Sequence, residues 1–304
     1  MSDPLSEVLQ DIRLDGVSYG RCELRHPWGL YFPKQREARF HFIASGSGWL
    51  HTASLGWTQL KAGDVLLLPR GDEHIVASEP GCVCKPIDEQ PVESFGGLVF
   101  RLRDEGGGEE TRLFCGSMSF VAHAVRPLID QMPEVLRPCD LTIADPTMAG
   151  LLDAMARESD QTRIGGATML ARLADVAATH IIRAWVEDAC IDAHGWLQAV
   201  RDPQIGRALA AMHRAPGEDW TVEALAELAG LSRSSFADKF RATMGEGPAH
   251  YVARWRMQAA TDWLRENLPI AQIAERLGYE SDASFSRAFK RIMGTAPSRW
   301  KAAA

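Results

Sequence analysis

A chain of 304 residues is long for one domain and comfortable for two, each able to bury its own core. With 46 % hydrophobic and 24 % charged residues it excludes a disordered chain, and no apolar run approaches the ~18 residues of a membrane span. The net charge of −7 speaks against a nucleic-acid partner only until it is divided: residues 1–200 hold 18 Lys and Arg against 28 Asp and Glu (−10), residues 201–304 hold 15 against 12 (+3).

The start, MSDPLSEVLQDIRLDG, is polar and acidic, unlike a secretory signal, so a cytoplasmic protein is expected. From 20 to 105 the chain is rich in Gly, Pro and β-formers, with short apolar runs such as ARFHFIAS and DVLLLP between turn signals. That texture predicts a sandwich or barrel of short strands. DEGGGEE at 104–110 reads as a loop. Helical spacing begins at Pro127 and continues in DPTMAGLLDAMARE and ATMLARLADVAATHIIRAWVEDA, with Asp145 and Pro146 as N-cap and first-turn pair. The apolar stripes Leu151, Leu152, Met155 and Leu170, Leu173, Val176, Ile181 suit a homodimer interface, a bracket between domains or packing within the chain. HRAPGEDW at 213–220 breaks the helices and marks a boundary. The expected organisation is multidomain α+β, with domains at 1–125, 126–212 and 213–304.

The last domain repeats itself. SSFADKFRATMGEGPAHY returns as ASFSRAFKRIMGTAPSRW. In the first copy Thr221 opens a short helix with Leu225 and Leu228 inward. Gly230-Leu231 turns the chain, and Ser232 caps a second helix running to about Met244. In the second copy Pro269 opens the short helix, with Ile273 and Leu277 inward. Gly278-Tyr279 turns, and Ser281 caps the next helix. Phe236 and Phe240 match Phe285 and Phe289, each pair on one helix face. This is the helix-turn-helix pattern. Opposite the phenylalanines, at about 100° per residue, lie Ser234, Asp238 and Arg241 in the first copy. Ala283, Arg287, Lys290 and Arg291 lie there in the second, with Ser286 alongside. Hydroxyls, Arg and Lys are the side chains that contact phosphates and base edges. Between the copies PAHYVARWRMQAATDWLREN predicts a helix over 249–266, a rod of ~27 Å. It is stiff enough to hold two reading helices about one turn of DNA apart, ~34 Å.

At these residues, over roughly 216–302, the sequence resembles the AraC/XylS family of bacterial transcription regulators. The resemblance implies an activator that works with RNA polymerase at promoters and carries an N-terminal effector or dimerisation domain. It places base-reading positions at Ser234, Ala237 and Asp238 and at Ala283, Ser286 and Arg287, with Ser235 and Ser284 in the same first turns. Ala237 offers no side-chain hydrogen bond, and Asp238 suits only a donor such as the cytosine amine. The second copy is the better reader.

GDVLLLPRGDEH, from Gly63 to His74, is similar to the second signature of the cupin β-barrel, whose final His is often a metal ligand. If Gly46 ends the first signature, its Glu slot holds Arg39 and its His pair reads FPKQ. His41 and His74 are the remaining candidate ligands, and the competing reading makes them hydrogen-bonded barrel histidines. No cofactor is expected. With no complete metal set and no GxSxG, HExxH or phosphate-loop motif, an enzyme is not expected, a metal-dependent cupin enzyme being the discarded alternative. The barrel also resembles a reactive-chlorine-sensing branch of these regulators in Cys22, Cys82, Cys84 and Cys115. That resemblance implies a redox switch needing a partly exposed thiolate, with Arg21 and Arg25 near Cys22 and with Cys82 and Cys84 on one side of a strand. The competing reading makes the cysteines buried core residues, with a small organic ligand in the barrel as the signal.

Overall fold

A computed structural model describes residues 14–96, 99–103, 107–120, 126–137, 146–160, 164–189 and 195–303. Asp145, Cys139 and Cys190 lie outside these. The chain forms two compact units, one of 12–121 and 129–191, the other mainly of 192–304.

The first unit is built on strands β1 Leu14–Arg25, β2 Gly29–Phe32, β3 Ala38–Ser45, β4 Ser47–Thr52, β5 Gly56–Lys61 and β6 Val65–Leu68. β7 His74–Ala77, β8 Lys85–Pro86, β9 Val92–Gly96, β10 Val99–Arg103 and β11 Glu110–Phe120 follow. Six form one sheet in the order β6-β3-β11-β1-β10-β9, and five form another, β5-β4-β7-β2-β8. Strand alternation sorts the side chains: Cys22 and Leu24 on β1 join Leu30, Phe32, Ile43, Leu50, Leu66, Leu68, Val76 and Leu113 in one apolar core. On β1's other face, Tyr19 donates from its hydroxyl to Asp175 at 2.6 Å. Asp175 lies on helix α3, Gly166–Ala189, which follows α1, Arg126–Gln131, and α2, Pro146–Asp160. The α2 and α3 stripes bury Met155, Leu170 and Ile181, whereas Val176 of α3, expected among them, is 47 % exposed and faces outward. Among the described residues no helix is long and apolar enough to cross a membrane.

The second unit is all helix: α4 Trp196–Arg201, α5 Ile205–Arg214, α6 Val222–Ala229, α7 Arg233–Met244, α8 Pro248–Arg265, α9 Ile270–Arg276, α10 Asp282–Met293 and α11 Pro297–Ala303. The two halves of the repeat are α6–α7 and α9–α10, joined by α8, whose span is within a residue of that expected. Thr221 and Ser232 cap α6 and α7, accepting from the backbone N–H of Ala224 and Ser235. Gly245 and Gly294 end α7 and α10 with φ of 75° and 77°, a left-handed conformation that costs glycine least. One inward residue is corrected: Leu228 is exposed, because Leu225, Ala226 and Ala229 form α6's buried face.

Candidate functional site

The second helix of each copy starts from a serine cap and turns on a phenylalanine pair. Phe236 and Phe240 of α7, and Phe285 and Phe289 of α10, are fully buried. Opposite them Ser234, Ser235, Asp238 and Arg241 are exposed on α7, and Ala283, Arg287, Lys290 and Arg291 on α10; Ala237, Ser284 and Ser286 are half-buried. Two of the hydroxyls are engaged in the caps. Ser235 Oγ accepts from Ser232 Oγ at 2.8 Å. Ser284 Oγ donates to the Ser281 carbonyl at 2.7 Å and accepts from the Ser281 N–H at 3.2 Å, completing a reciprocal capping box. The outward face of α10 thus presents three cations near one another, and that of α7 a single Arg beside an Asp.

Sequence reasoning passed over Lys239. Its ammonium meets Asp202 Oδ2 at 2.6 Å and Gln204 Oε1 at 2.7 Å, tying α7 to the turn between α4 and α5. Burial opposes ionisation of Asp202, but hydrogen bonds from Lys239 and from the Ile205 and Gln204 N–H groups hold its carboxyl below the usual range. The signal was in the repeat, where the matching position of the second copy is Ala288: a long cation replaces a residue without reach.

In the strand unit, His41 on β3 and His74 at the start of β7 meet inside the apolar core, both buried, with Phe32 stacked on His74. His74 Nδ1 lies 2.8 Å from the Asp72 carbonyl oxygen, His74 Nε2 2.7 Å from His41 Nε2, and His41 Nδ1 3.3 Å from Cys115 Sγ. A carbonyl only accepts, so His74 carries its proton on Nδ1. Burial, with Arg39 nearby, lowers the His74 pKa to about 4, so the ring is neutral and Nε2 accepts. His41, whose pKa is driven well down by burial and then by His74, must therefore donate from Nε2 and accept at Nδ1. The Cys115 thiol is the donor at the end of this chain. Arg39 places its guanidinium 5.3 Å from the Phe32 ring and bonds Ser117 Oγ at 3.2 Å. The histidines are thus partners of each other, and among the described residues no group of three or more His, Cys, Asp or Glu is placed to hold a metal ion.

Cys22 and Cys115 sit as core residues, not as the partly exposed thiolate that a redox switch needs. Cys22 is 1 % exposed and Cys115 6 %, and burial followed by a hydrogen bond with Cys22 pushes the Cys115 thiol well up. Arg21 and Arg25 lie on the other face of β1, so they do not flank the Cys22 sulfur. Gly20 pairs with Cys115 and Cys22 with Leu113, which makes the two thiols diagonal neighbours on adjacent strands. Residues 82–84 are not a strand; the Cys84 thiol donates to the Cys82 carbonyl at 3.2 Å, and Cys82 Sγ lies 3.3 Å from Ser78 Oγ.

A cupin family model matches residues 3–187, and a helix-turn-helix domain model matches 225–303. A putative AraC-like transcription regulator of Streptomyces lividans is 31 % identical across 98 % of this chain and 98 % of its own. The RCS-specific HTH-type transcriptional activator RclR of Escherichia coli K12 is 26 % identical across 98 % of this chain and 97 % of its own. Among solved structures, the DNA-binding domain of AdpA in complex with a target DNA is similar at 28 % identity, covering 34 % of this chain and 92 % of its own, with a TM-score of 0.32.

Proposed function

The chain belongs to the AraC-like transcription regulators, with a cupin domain ahead of its helix-turn-helix domain, and from that premise we propose how it reads DNA and what it senses. As a DNA-binding transcription regulator it lays α7 and α10 in successive major grooves on one side of a duplex. On α10, Arg287 takes O6 and N7 of a guanine, Ala283 and Ser286 contact neighbouring base edges, and Lys290 and Arg291 hold phosphates. On α7, Ser234 and Ala237 lie against bases, Asp238 accepts from a cytosine amine, and Arg241 holds a phosphate. Ser235 and Ser284, whose hydroxyls serve the caps, reach phosphates through the first helical turn. The carrying observation is that both helices bury a phenylalanine pair and turn Ser234, Asp238 and Arg241, and Ala283, Arg287, Lys290 and Arg291, to solvent.

Selection from randomised duplexes gives the site, and variants test it. Arg287→Ala is expected to cost about 1–3 kcal/mol and relax preference at one base position, whereas Arg291→Ala weakens all duplexes alike and lowers the salt slope by about one. Unchanged binding of the Arg287 variant to every sequence sinks the docking.

The barrel's part in this reading is to sense an oxidant through Cys115 and Cys22. Because Cys115 is buried, a local opening of β11 first exposes its thiol, which hypochlorous acid then chlorinates with release of water. The Cys22 sulfur then displaces chloride, losing its proton, and a disulfide forms. Diagonal strand positions stand about 7–8 Å apart at Cα, beyond the ~4.4–6.8 Å a disulfide spans, so closing it shifts β1 against β11. That shift is the signal. What supports the reading is the pair's adjacency and the Cys115–His41 contact. Cys82 and Cys84 remain reserve thiols, half-buried beside one another. A second reading, a small organic effector, is supported by a cavity of about 240 Å³ lined by Leu24, Trp28, Leu30, Leu102, Lys85 and Arg103. The regulator acts as a cytoplasmic activator with RNA polymerase and as a homodimer, for which Met169 and Val176, exposed seven residues apart on α3, supply an apolar strip. Cys115→Ser and Cys22→Ser should each abolish a hypochlorite response and leave basal DNA binding intact; a response kept by both leaves the organic effector.

A further inference from the structure

Two reading helices select one long site only if the angle between them is fixed. α8 supplies part of this: Tyr251 meets the Phe240 ring of the first motif edge-on, and Met257, Ala260 and Leu264 share one buried core with Phe285 and Phe289 of the second. The second unit carries another connection. Arg256, midway along α8, donates from Nε to the Pro216 carbonyl and from Nη2 to the Glu218 carbonyl, both at 2.7 Å. One planar guanidinium thereby grips both sides of Gly217, in the loop that leads into α6. The same guanidinium lies 5.9 Å from the ring centroid of Tyr279, which follows the turn glycine of the second motif.

At this point the loop of the first motif touches the turn of the second, backbone to backbone. A Cβ on Gly217 would overlap the carbonyl oxygen of Arg276, and one on Gly278 would overlap the carbonyl oxygen of Gly217. Gly278 also has a φ of 71°, so it is required for conformation as well as space; Gly217 is required for space alone. The approach is close because neither residue has a side chain, and the arginine closes over it.

We infer that Gly217, Arg256, Gly278 and Tyr279 form a clasp that fixes the phase between α7 and α10 and so sets the spacing of the two half-sites in the DNA. These are positioning residues and touch no base. The inference rests on α7 and α10 being the reading helices. One inserted base pair moves a half-site by about 3.4 Å and turns it by roughly 35°, since a turn of ~34 Å holds about 10 base pairs. A rigid reader cannot follow that displacement, and a loosened one can.

The test uses the full chain and the duplex selected by it, with one base pair inserted or removed between the half-sites. The unaltered protein is expected to lose about tenfold or more in affinity on either change, the scale of one lost base contact. Arg256→Gln should bind the selected duplex more weakly, yet lose less than about threefold on changing the spacing, and bind a duplex bearing only the α10 half-site as before. Tyr279→Phe keeps the ring and should restore the full spacing penalty, whereas Tyr279→Leu should behave like Arg256→Gln. A full penalty in both Arg256→Gln and Tyr279→Leu, or none in the unaltered protein, overturns the clasp. If Arg256→Gln does not fold, the Tyr279 pair decides by itself. A protein that selects no sequence defeats the reading-helix assignment instead, an outcome separate from a spacing profile that variants leave unmoved.

Discussion

His74 is kept neutral by its surroundings, and that has a pH signature. Its pKa in the fold is about 4, lowered by burial and by Arg39 against the pull of the Asp72 carbonyl and of Glu134, while in an unfolded chain it returns to about 6.5. Between these values the unfolded state binds a proton that the folded state does not. The stability contributed is therefore full above pH ~6.5 and is lost as pH falls toward 4, by about 2 kcal/mol at pH 5. Thermal unfolding of the strand unit, followed from pH 7 to pH 5, should show this loss, and His74→Gln should remove its share while leaving that of His41, whose pKa burial also lowers; a flat profile in the unaltered protein would disprove the buried neutral ring. Buried core cysteines and hydrogen-bonded barrel histidines were both readings that the sequence offered; that the two histidines bond each other was not legible there. His41 and His74 are 33 residues apart on strands of different sheets. The cations flanking Cys22 suggested an exposed thiol, but alternation along β1 sends Arg21 and Cys22 to opposite faces, and only the sheet's register says which face is the core.

At the scale of elements the capping box of α10 is the feature to probe. Ser281 accepts from the Ser284 N–H while Ser284 Oγ accepts from the Ser281 N–H, which satisfies two donors at a helix end that the fold exposes. Ser281→Ala should cost about 1 kcal/mol, read as a lowered midpoint for the helical unit, and Ser281→Asp should recover most of it. An unchanged midpoint in the Ala variant would mean that the phenylalanine pair holds the helix alone. The helices of this unit were legible because their signals are local: a serine before, a glycine after, two phenylalanines one turn apart. Leu228 was misread because apolar character does not say which of two adjacent faces is covered. The clasp at Arg256 was invisible for the opposite reason, since it joins residues 216–218, 256 and 276–279, each unremarkable in its own segment.

At the scale of the molecule the acidic surplus lies in the first 200 residues and the basic surplus in the rest, so the part that approaches a polyanion is the part not repelled by it. The two copies that do the approaching are alike in core and unlike outside: Asp238 stands where the second copy has Arg287, and Lys239 where it has Ala288. A symmetric dimer of identical readers cannot tell the two directions of a palindrome apart. On the proposed docking, two unequal readers joined by one unbroken helix can, so each bound chain acquires a heading along its own stretch of duplex, with the Arg287 end toward one flank. On that docking, a single chain's site cut out and reinserted back to front would still be occupied, but the chain on it would face away from the gene.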